Sequence, residues 1–248
     1  MTVVFILSSI NVFMSTIDHS LAPEVQNYRC FFSYKYLKGM GIEIGALNHP
    51  LPISPEANVK YVDRLPVEKL KKQYRELATE TLVEVDLIDD GETLSNIANS
   101  SQDFVIANHF LEHCQDPIGT LKNLLRVLRT EGILYLAIPD KRFCFDLDRT
   151  VTSIDHLILD HEQGPAWSKY QHFEEWIKLV EKVTDPEEIN RQVNALIKRD
   201  YSIHFHVWTP PDFLDFLLTI KQKFHLPFII KATFENHGEL ITILEKNN

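Results

Sequence analysis

Acidic side chains with the spacing of a nucleotide-binding site stand at the ends of predicted strands. Glu43 and Gly45 lie where the apolar run GIEIGA ends, and Asp63 closes the run VKYVD. The interval of twenty positions between Glu43 and Asp63 is close to that at which a βαβ unit presents a carboxylate to the ribose of its nucleotide. A carboxylate accepts the protons of both ribose hydroxyls. The pattern predicts that Asp63 binds a ribose, and the alternative is an aspartate that caps the next helix.

Polar residues also close the third and fourth predicted strands. Asp86 ends LVEVD, and Asn108 and His109 lie at the end of DFVIAN. The carboxylate of Asp86 can accept the amino hydrogens of adenine, and the alternative is a solvated loop acid. We expect these residues to lie near Glu43 and Asp63, because open parallel sheets bind ligands at the carboxyl ends of their strands.

The elements that must position these residues alternate between strands and helices. Apolar runs rich in β-branched and aromatic residues predict five strands, at 41–46, 59–63, 82–87, 103–108 and 132–140. Helical periodicity predicts helices over 24–39, 66–77, 116–130 and 210–224, and the segment around 92–98 is a further connection. Two final runs, 227–236 and 239–246, are joined only by His237 and Gly238 and predict a hairpin.

This order of elements predicts an α/β fold with a doubly wound, mostly parallel seven-stranded sheet that ends in an antiparallel hairpin. Residues 141–208 carry helical patterns at 168–183 and 185–199. They leave the carboxyl end of a strand, which favours a helical lid or a substrate-binding insertion. We expect one domain over 24–248 and a poorly ordered extension over 1–23.

The motifs GIEIGA, YVD, VDL, DFVIANHFLEHCQDP and LRTEGILYLAIPD resemble, in this order, the successive motifs of class I S-adenosylmethionine (SAM)-dependent methyltransferases, whose fold is Rossmann-like. The resemblance covers residues 38–140 and implies an enzyme with SAM as its cofactor. It implies that Glu43, Gly45 and Ala46 line the loop under the methionine part of SAM. It further implies Asp63 at the ribose with Arg64 beside it, Asp86 and Leu87 at the adenine, and Asn108 and His109 under the sulfonium.

One departure from the family leaves a second hypothesis open. Members usually carry a second and often a third glycine after the first-strand acid, whereas this chain reads EIGALNHP with Gly45 alone. The backbone of this loop therefore has less conformational freedom than a loop with several glycines. The alternative is a methyltransferase-like module that binds or regulates without catalysis.

Two other kinds of site are disfavoured by the sequence. Gly39, Gly41 and Gly45 lack the intervals of a dinucleotide-binding G-x-G-x-x-G loop. The pentapeptide 109–113, HFLEH, matches the H-x-x-E-H pattern of one class of metalloproteases. It begins at the end of a strand, however, and no third ligand is in view. We expect no metal site.

A hydroxyl acceptor would require a general base, for which His109, His113 and Asp140 are the candidates. The insertion adds a dense set of polar residues that suits a base, a substrate clamp or a solvated lid surface; it includes His156, His161, His172, His204, His206 and Asp146. We expect methylation of a small molecule or a glycan, with transfer to oxygen ahead of nitrogen or carbon.

Composition limits the partners and the compartment. A net charge of −10 and a pI near 5.5 argue against nucleic acid as a partner. The three cysteines are scattered and contain no C-x-x-C pair, which favours a cytoplasmic protein. The apolar N-terminal run is interrupted by Ser8, Ser9 and Asn11 and falls short of the roughly 20 residues of a membrane helix. We therefore expect no stable membrane insertion, and the oligomeric state is left open.

Overall fold

A computed structural model of the chain describes residues 22–74 and 77–248, and its centre is a seven-stranded sheet. In chain order the strands are β1 (Gly39–Ile44), β2 (Ala57–Asp63), β3 (Leu87–Ile88), β4 (Gln102–Asn108), β5 (Leu128–Pro139), β6 (Phe228–Asn236) and β7 (Glu239–Lys246). Their spatial order is β3-β2-β1-β4-β5-β7-β6. The first five strands are parallel, and β7 pairs antiparallel with both β5 and β6. The predicted fold class and C-terminal hairpin are thus confirmed.

Helices cover both faces of the sheet. They are α1 (Ala22–Tyr36), α2 (Val67–Gln73), α3 (Pro117–Val127), α4 (Ile154–Gln163), α5 (Lys169–Leu179), α6 (Pro186–Lys198) and α7 (Pro210–Phe224). Along β4, Val105 and Ala107 join a core that also contains residues of α3 and α7, whereas Phe104 and Ile106 join a core with Phe32 of α1. This alternation follows from the pleat of a strand, which sends successive side chains to opposite faces. Residues 1–21 of the predicted extension lie outside the described residues.

Two connections that bear on the site contain no helix. The connection from β1 to β2 is the loop over residues 45–56. The segment around 92–98 consists of turns. There the buried carboxylate of Asp89 accepts hydrogen bonds from the Ser95 hydroxyl and the Asn96 N–H. Such side-chain to backbone bonds stabilise turns in competition with a helix.

The insertion after β5 has its own small core. The predicted helices at 168–183 and 185–199 correspond to α5 and α6, and α4 is an additional helix. Phe173 and Trp176 of α5 pack with Val193 of α6 and with Phe205 of the following extended segment. The Phe205 N–H donates to the Glu112 carbonyl, 2.8 Å away, just beyond β4. The insertion is therefore attached beside the carboxyl ends of the strands.

Candidate functional site

Most of the predicted site residues lie at, or directly after, the carboxyl ends of the adjacent parallel strands β2, β1 and β4. Ile44 of β1 is in register with Val62 of β2, and Asn108 of β4 is in register with Ala137 of β5. The first residues after β1, β2 and β4 therefore lie along one edge of the sheet. This is where open α/β sheets bind their ligands.

Gly45 turns the chain at the end of β1. Its φ is +64°, and a Cβ placed on it would meet no atom within 4 Å. The Gly45 N–H donates to the Val62 carbonyl at 3.0 Å, which ties the turn to β2. The neighbouring Ala46 is half-buried. A positive φ favours glycine, and the open space in front of the backbone allows a ligand to approach closely.

Glu43 lies beneath this loop and does not face the open edge. Its side chain is 1% exposed, and its two carboxylate oxygens are 3.0 and 3.1 Å from the Leu51 N–H, which donates to them. Burial raises the pKa of Glu43 to about 7, against the lowering effects of the Leu51 N–H and of Arg29. Glu43 therefore holds the β1–β2 loop in place, and any effect on a ligand passes through that loop.

Asp63 is a half-buried carboxylate at the end of β2. Burial raises the pKa of Asp63, although hydrogen bonds from the backbone N–H groups of Arg64 and Leu65 act to lower it. The following helix α2 has Pro66 as its N-cap and no side-chain cap, so the helix-capping alternative for Asp63 is not supported. The Arg64 guanidinium lies 3.4 Å from the Asp200 carboxylate of the insertion.

The third strand is where sequence and structure differ most. It is only two residues long and ends at Ile88, so Asp86 precedes the strand instead of closing it. The Asp86 carboxylate accepts the Tyr61 N–H of β2 at 2.8 Å, and the side chain is exposed. Leu87 is half-buried and pairs with Val62. The adenine contact of Asp86 and Leu87 stays a prediction, and the carboxyl end of β3 leads into residues 89–91.

Gly91 in this segment packs directly against the other strand ends. A Cβ on Gly91 would lie 2.7 Å from Ile44 Cγ2 and 2.7 Å from Phe110 Cζ. Neither distance leaves room for a side chain, so the 89–91 turn can approach β1 and β4 only with glycine at this position. The D-D-G sequence at 89–91 is a turn signal that was available in the sequence.

Asn108 supplies a polar group that the protein itself does not satisfy. Both its amide nitrogen and its amide oxygen are buried, and neither has a hydrogen-bond partner in the described part of the chain. Buried polar atoms are almost always paired, and an unpaired one marks a site where a ligand or water completes the bonding. Asn108 at the end of β4, Gly45 at the end of β1 and Asp63 at the end of β2 fit a nucleoside-containing cofactor.

His109 follows Asn108 in a left-handed conformation with φ +47°. Its Nε2 is 2.8 Å from Glu239 Oε2 at the start of β7, and its Nδ1 is 3.8 Å from Glu112 Oε1. Glu239 is also paired with Arg29 of α1. Burial opposes ionisation of Glu239, but Arg29 and His109 hold its pKa well below the usual range. The imidazole is thus held at one nitrogen by an ionised carboxylate.

A second acid–imidazole pair lies on the insertion side of His109. His204 Nδ1 is 2.6 Å from Asp146 Oδ2, and Arg149 donates to the same carboxylate at 2.9 Å. His204 Nε2 is 4.0 Å from Glu112 Oε1. Both oxygens of Glu112 are buried without a hydrogen-bond partner among the described residues, and burial raises its pKa. In the sequence, Glu112 stands out only as part of the HFLEH match, and no pattern indicates Glu239 or Arg29.

The other two candidate bases are engaged elsewhere. Burial and the neighbouring His204 lower the pKa of His113 to about 3. Its Nδ1 is 3.0 Å from the Ile203 carbonyl oxygen. Asp140 is 3% exposed, and its carboxylate accepts three hydrogen bonds from the guanidinium and one from the backbone N–H of Arg142. These contacts argue against both residues as proton acceptors.

The HFLEH pentapeptide does not form the helix that a metalloprotease requires. His109 belongs to the strand end, and only Leu111–His113 form a short 3-10 turn. His109 Nε2 contacts Glu239 and His113 Nδ1 contacts Ile203, so the two rings have different partners. Ligand atoms of Glu112, His113 and His204 do lie within 4.8 Å of one another. The arrangement nevertheless lacks the two-histidine helical face of that enzyme class.

Comparisons with known proteins agree with this geometry. Residues 53–136, from the β1–β2 loop into β5, match the family described as a methyltransferase domain. No curated protein matches the chain. None of the described helices has the length and apolar character needed to cross a membrane.

Three of the similar solved structures illustrate the structural similarity. A Rhodobacter sphaeroides structure named for zinc-dependent alcohol dehydrogenases is 14% identical with a TM-score of 0.54, over 90% of each chain. The PH0226 protein of Pyrococcus horikoshii OT3 is 15% identical with a TM-score of 0.50, over 92% of this chain and 91% of that one. The CurJ carbon methyltransferase is 13% identical with a TM-score of 0.44, over 86% of this chain, which spans 50% of its length.

Structural similarity at such low identity shows only the fold. The activity is therefore inferred from the site and from the family match. The matched segment contains Asp63, Asn108 and His109, three of the residues at the carboxyl edge of the sheet. The same sheet has β7 antiparallel between β5 and β6, next to the parallel strands that carry these residues. Residues 53–136 are therefore similar to a methyltransferase domain, and they lie within a seven-stranded sheet of the Rossmann-like type.

Proposed function

We propose that the enzyme methylates a hydroxyl group of a small molecule or a glycan, with His109 as the general base. The observation that carries the proposal is the pair formed by His109 and the ionised carboxylate of Glu239 at 2.8 Å. Hydroxyl groups need a base as the new bond forms, whereas an anionic acceptor does not. An imidazole oriented by a carboxylate is suited to this task.

Several residues at the strand ends would hold the cofactor. When bound, S-adenosylmethionine supplies an electrophilic methyl group. Asp63 would accept the ribose hydroxyl protons, and the buried amide of Asn108 would bond a polar group that enters from the open edge. Gly45 and Ala46 would lie against the methionine part, where the φ of Gly45 keeps the backbone accessible. The adenine would lie beside residues 89–91, with Gly91 allowing close approach.

The tautomer of His109 assigns its two nitrogens different roles. With Nε2–H donating to Glu239, the lone pair of Nδ1 is available to take the proton of an acceptor hydroxyl. The positive charge that forms on the ring is then stabilised by the ionised carboxylate of Glu239, 2.8 Å from Nε2. This carboxylate does not need to move, so the stabilisation is preorganised.

The acceptor would be bound between these residues and the insertion. Residues 141–208 are proposed as a lid within a methyltransferase domain over 24–248. The insertion brings His204 and Asp146 to within reach of Glu112. Polar groups of this kind suit a hydroxyl-rich acceptor better than an apolar one. The three cysteines are free, which is in line with a proposed location in the reducing cytoplasm.

The test is methyl transfer by the His109→Gln variant of the full chain. Glutamine can still donate to Glu239 but cannot take a proton at the position of Nδ1. Labelled SAM and a panel of sugars and small alcohols and phenols would first identify an acceptor by mass spectrometry. We expect kcat to fall by about 10²- to 10⁴-fold in the variant while SAM affinity is unchanged.

His225→Gln is the matched control, because His225 is another histidine with positive φ, 52° against 47°, at the end of α7. It should leave kcat unchanged. A His109→Gln enzyme with wild-type kcat on a hydroxyl acceptor would overturn the assignment of the base. Transfer only to nitrogen or carbon would overturn the acceptor class.

A further inference from the structure

Four potential metal ligands converge inside the insertion, away from His109. They form the insertion cluster, which is defined by His156, Asp160, His172 and His206. One ligand atom of each residue lies within 4.8 Å of every other. His156 and Asp160 share one face of α4 because they are four residues apart, whereas His172 lies on α5 and His206 on the extended segment before α7.

The distances within the insertion cluster match a single coordinated ion. His156 Nε2 is 3.0 Å from His172 Nε2 and 3.1 Å from Asp160 Oδ2. Asp160 Oδ2 is 3.8 Å from His206 Nε2 and 3.9 Å from His172 Nε2. In a tetrahedral zinc site with bonds of about 2.0 to 2.1 Å, ligand atoms lie about 3.3 Å apart. The observed separations lie on both sides of that value.

The cluster also contains polar atoms that the protein does not satisfy. Asp160 and His206 are both 0% exposed. Asp160 Oδ2 has no hydrogen-bond partner among the described residues, although it faces three imidazoles. The Nε2 atoms of those rings lie 3.1 to 3.9 Å from this oxygen, and His206 Nε2 has a long contact of 3.5 Å to the Gln115 carbonyl. A cation bound at the centre would satisfy all four groups at once.

A supporting contact fixes the carboxylate. The Ser168 hydroxyl, itself fully buried, donates to Asp160 Oδ1 at 2.6 Å. Oδ2 therefore remains available toward the histidines. Metal-binding carboxylates are characteristically oriented by such a second hydrogen bond.

We propose that the insertion cluster is a structural zinc site that fastens α4, α5 and the segment around His206 together beside the active site. Three imidazoles and one carboxylate suit zinc, and four protein ligands with no open position are typical of a structural site. This inference revises the sequence-based expectation that the chain has no metal. It is independent of the methyl acceptor, because the partners of His109 are Glu239 and Glu112 and none of the four ligands.

The experiment measures zinc by mass spectrometry in the full chain purified with zinc and freed of excess metal. We expect one zinc per wild-type chain and roughly none in His156→Ala or His206→Ala, since a four-ligand site loses its closed coordination with either change. His161→Gln, on the same helix α4 but paired with Asp116, should retain the ion. Cobalt in place of zinc should give the intense visible absorption of a four-coordinate site.

Two further measurements keep the proposal testable if an alanine variant folds poorly. A chelator should lower the thermal midpoint of the wild-type chain, and added zinc should restore it. Ser168→Ala keeps all four ligands and should weaken zinc binding by about 10- to 100-fold. A wild-type chain that binds no zinc would overturn the proposal. So would full zinc in His206→Ala together with its loss in His204→Ala, which would assign the ion to Glu112, His113 and His204.

Discussion

Replacing Glu43 with glutamine removes a buried carboxyl whose ionisation opposes folding near neutral pH. Glu43 is 1% exposed, and burial raises its pKa to about 7 from the ordinary glutamate value of 4.5. Below the unfolded-state pKa the group is protonated in both states, and its contribution to stability is fully present there. As the pH rises toward the folded-state pKa, the unfolded chain ionises first and stability is lost.

The size of the effect follows from the two pKa values. A difference of about 2.5 units corresponds to about 3 kcal/mol in the free energy of unfolding between pH values near 4 and near 8. Glu43→Gln keeps an oxygen that accepts the Leu51 N–H but cannot ionise. We therefore expect the variant to gain about 3 kcal/mol over the wild type across that interval. Urea unfolding at a series of pH values measures it.

Glu56→Gln is the control for this prediction, because it removes a carboxylate from the β1–β2 loop that Glu43 contacts through the Leu51 N–H. Glu56 is 64% exposed and pairs with the exposed Lys38, and such pairs contribute at most about 1 kcal/mol. The free energy of unfolding of Glu56→Gln, plotted against pH, should run parallel to that of the wild type. If the curve of Glu43→Gln also ran parallel to the wild type, the carboxyl would ionise as it does in the unfolded chain, and the reasoning from burial would be refuted.

Two further predictions concern the stability of the site. Glu239→Gln leaves the Arg29 guanidinium without its counter-charge, so the free energy of unfolding should fall by about 3 kcal/mol. Substitution of the exposed Glu235 by glutamine is the control, and an equal loss of stability in both variants would contradict the account. Gly91→Ala forces a Cβ to within 2.7 Å of Ile44 and Phe110 and should cost about 1 to 3 kcal/mol in urea unfolding, with weaker SAM binding; a variant as stable as wild type would show that the turn can move away.

The strands that carry most of the site were predictable because their patterns are local. β1, β4 and β5 are buried in the sheet and read as continuous apolar runs. The third strand was not, because LVEVD has the composition of a strand while Asp86 uses its side chain to bond the Tyr61 N–H. Only Leu87 and Ile88 then pair with β2.

The pairs that complete the site could not be found from the sequence. Glu239 and Arg29 are 210 positions apart, and no periodicity links a helix before the sheet to its last strand. His156 and Asp160 have the spacing of a shared helical face. His172 and His206 join them only once the insertion has folded, and therefore the spacing alone gave no metal prediction.

The central claim, that the carboxyl edge of the sheet holds SAM, is tested most directly by calorimetric titration of the full chain with SAM. We expect saturable binding by the wild type and an affinity lower by about 10- to 100-fold in Asp63→Asn, since a hydrogen bond to a charged group contributes about 1.5 to 3 kcal/mol. Asp103→Asn, at the opposite edge of the sheet where Asp103 pairs with Arg129, should bind as the wild type does. A folded wild-type chain that does not bind SAM, or an Asp63→Asn chain that binds as tightly, would contradict the account.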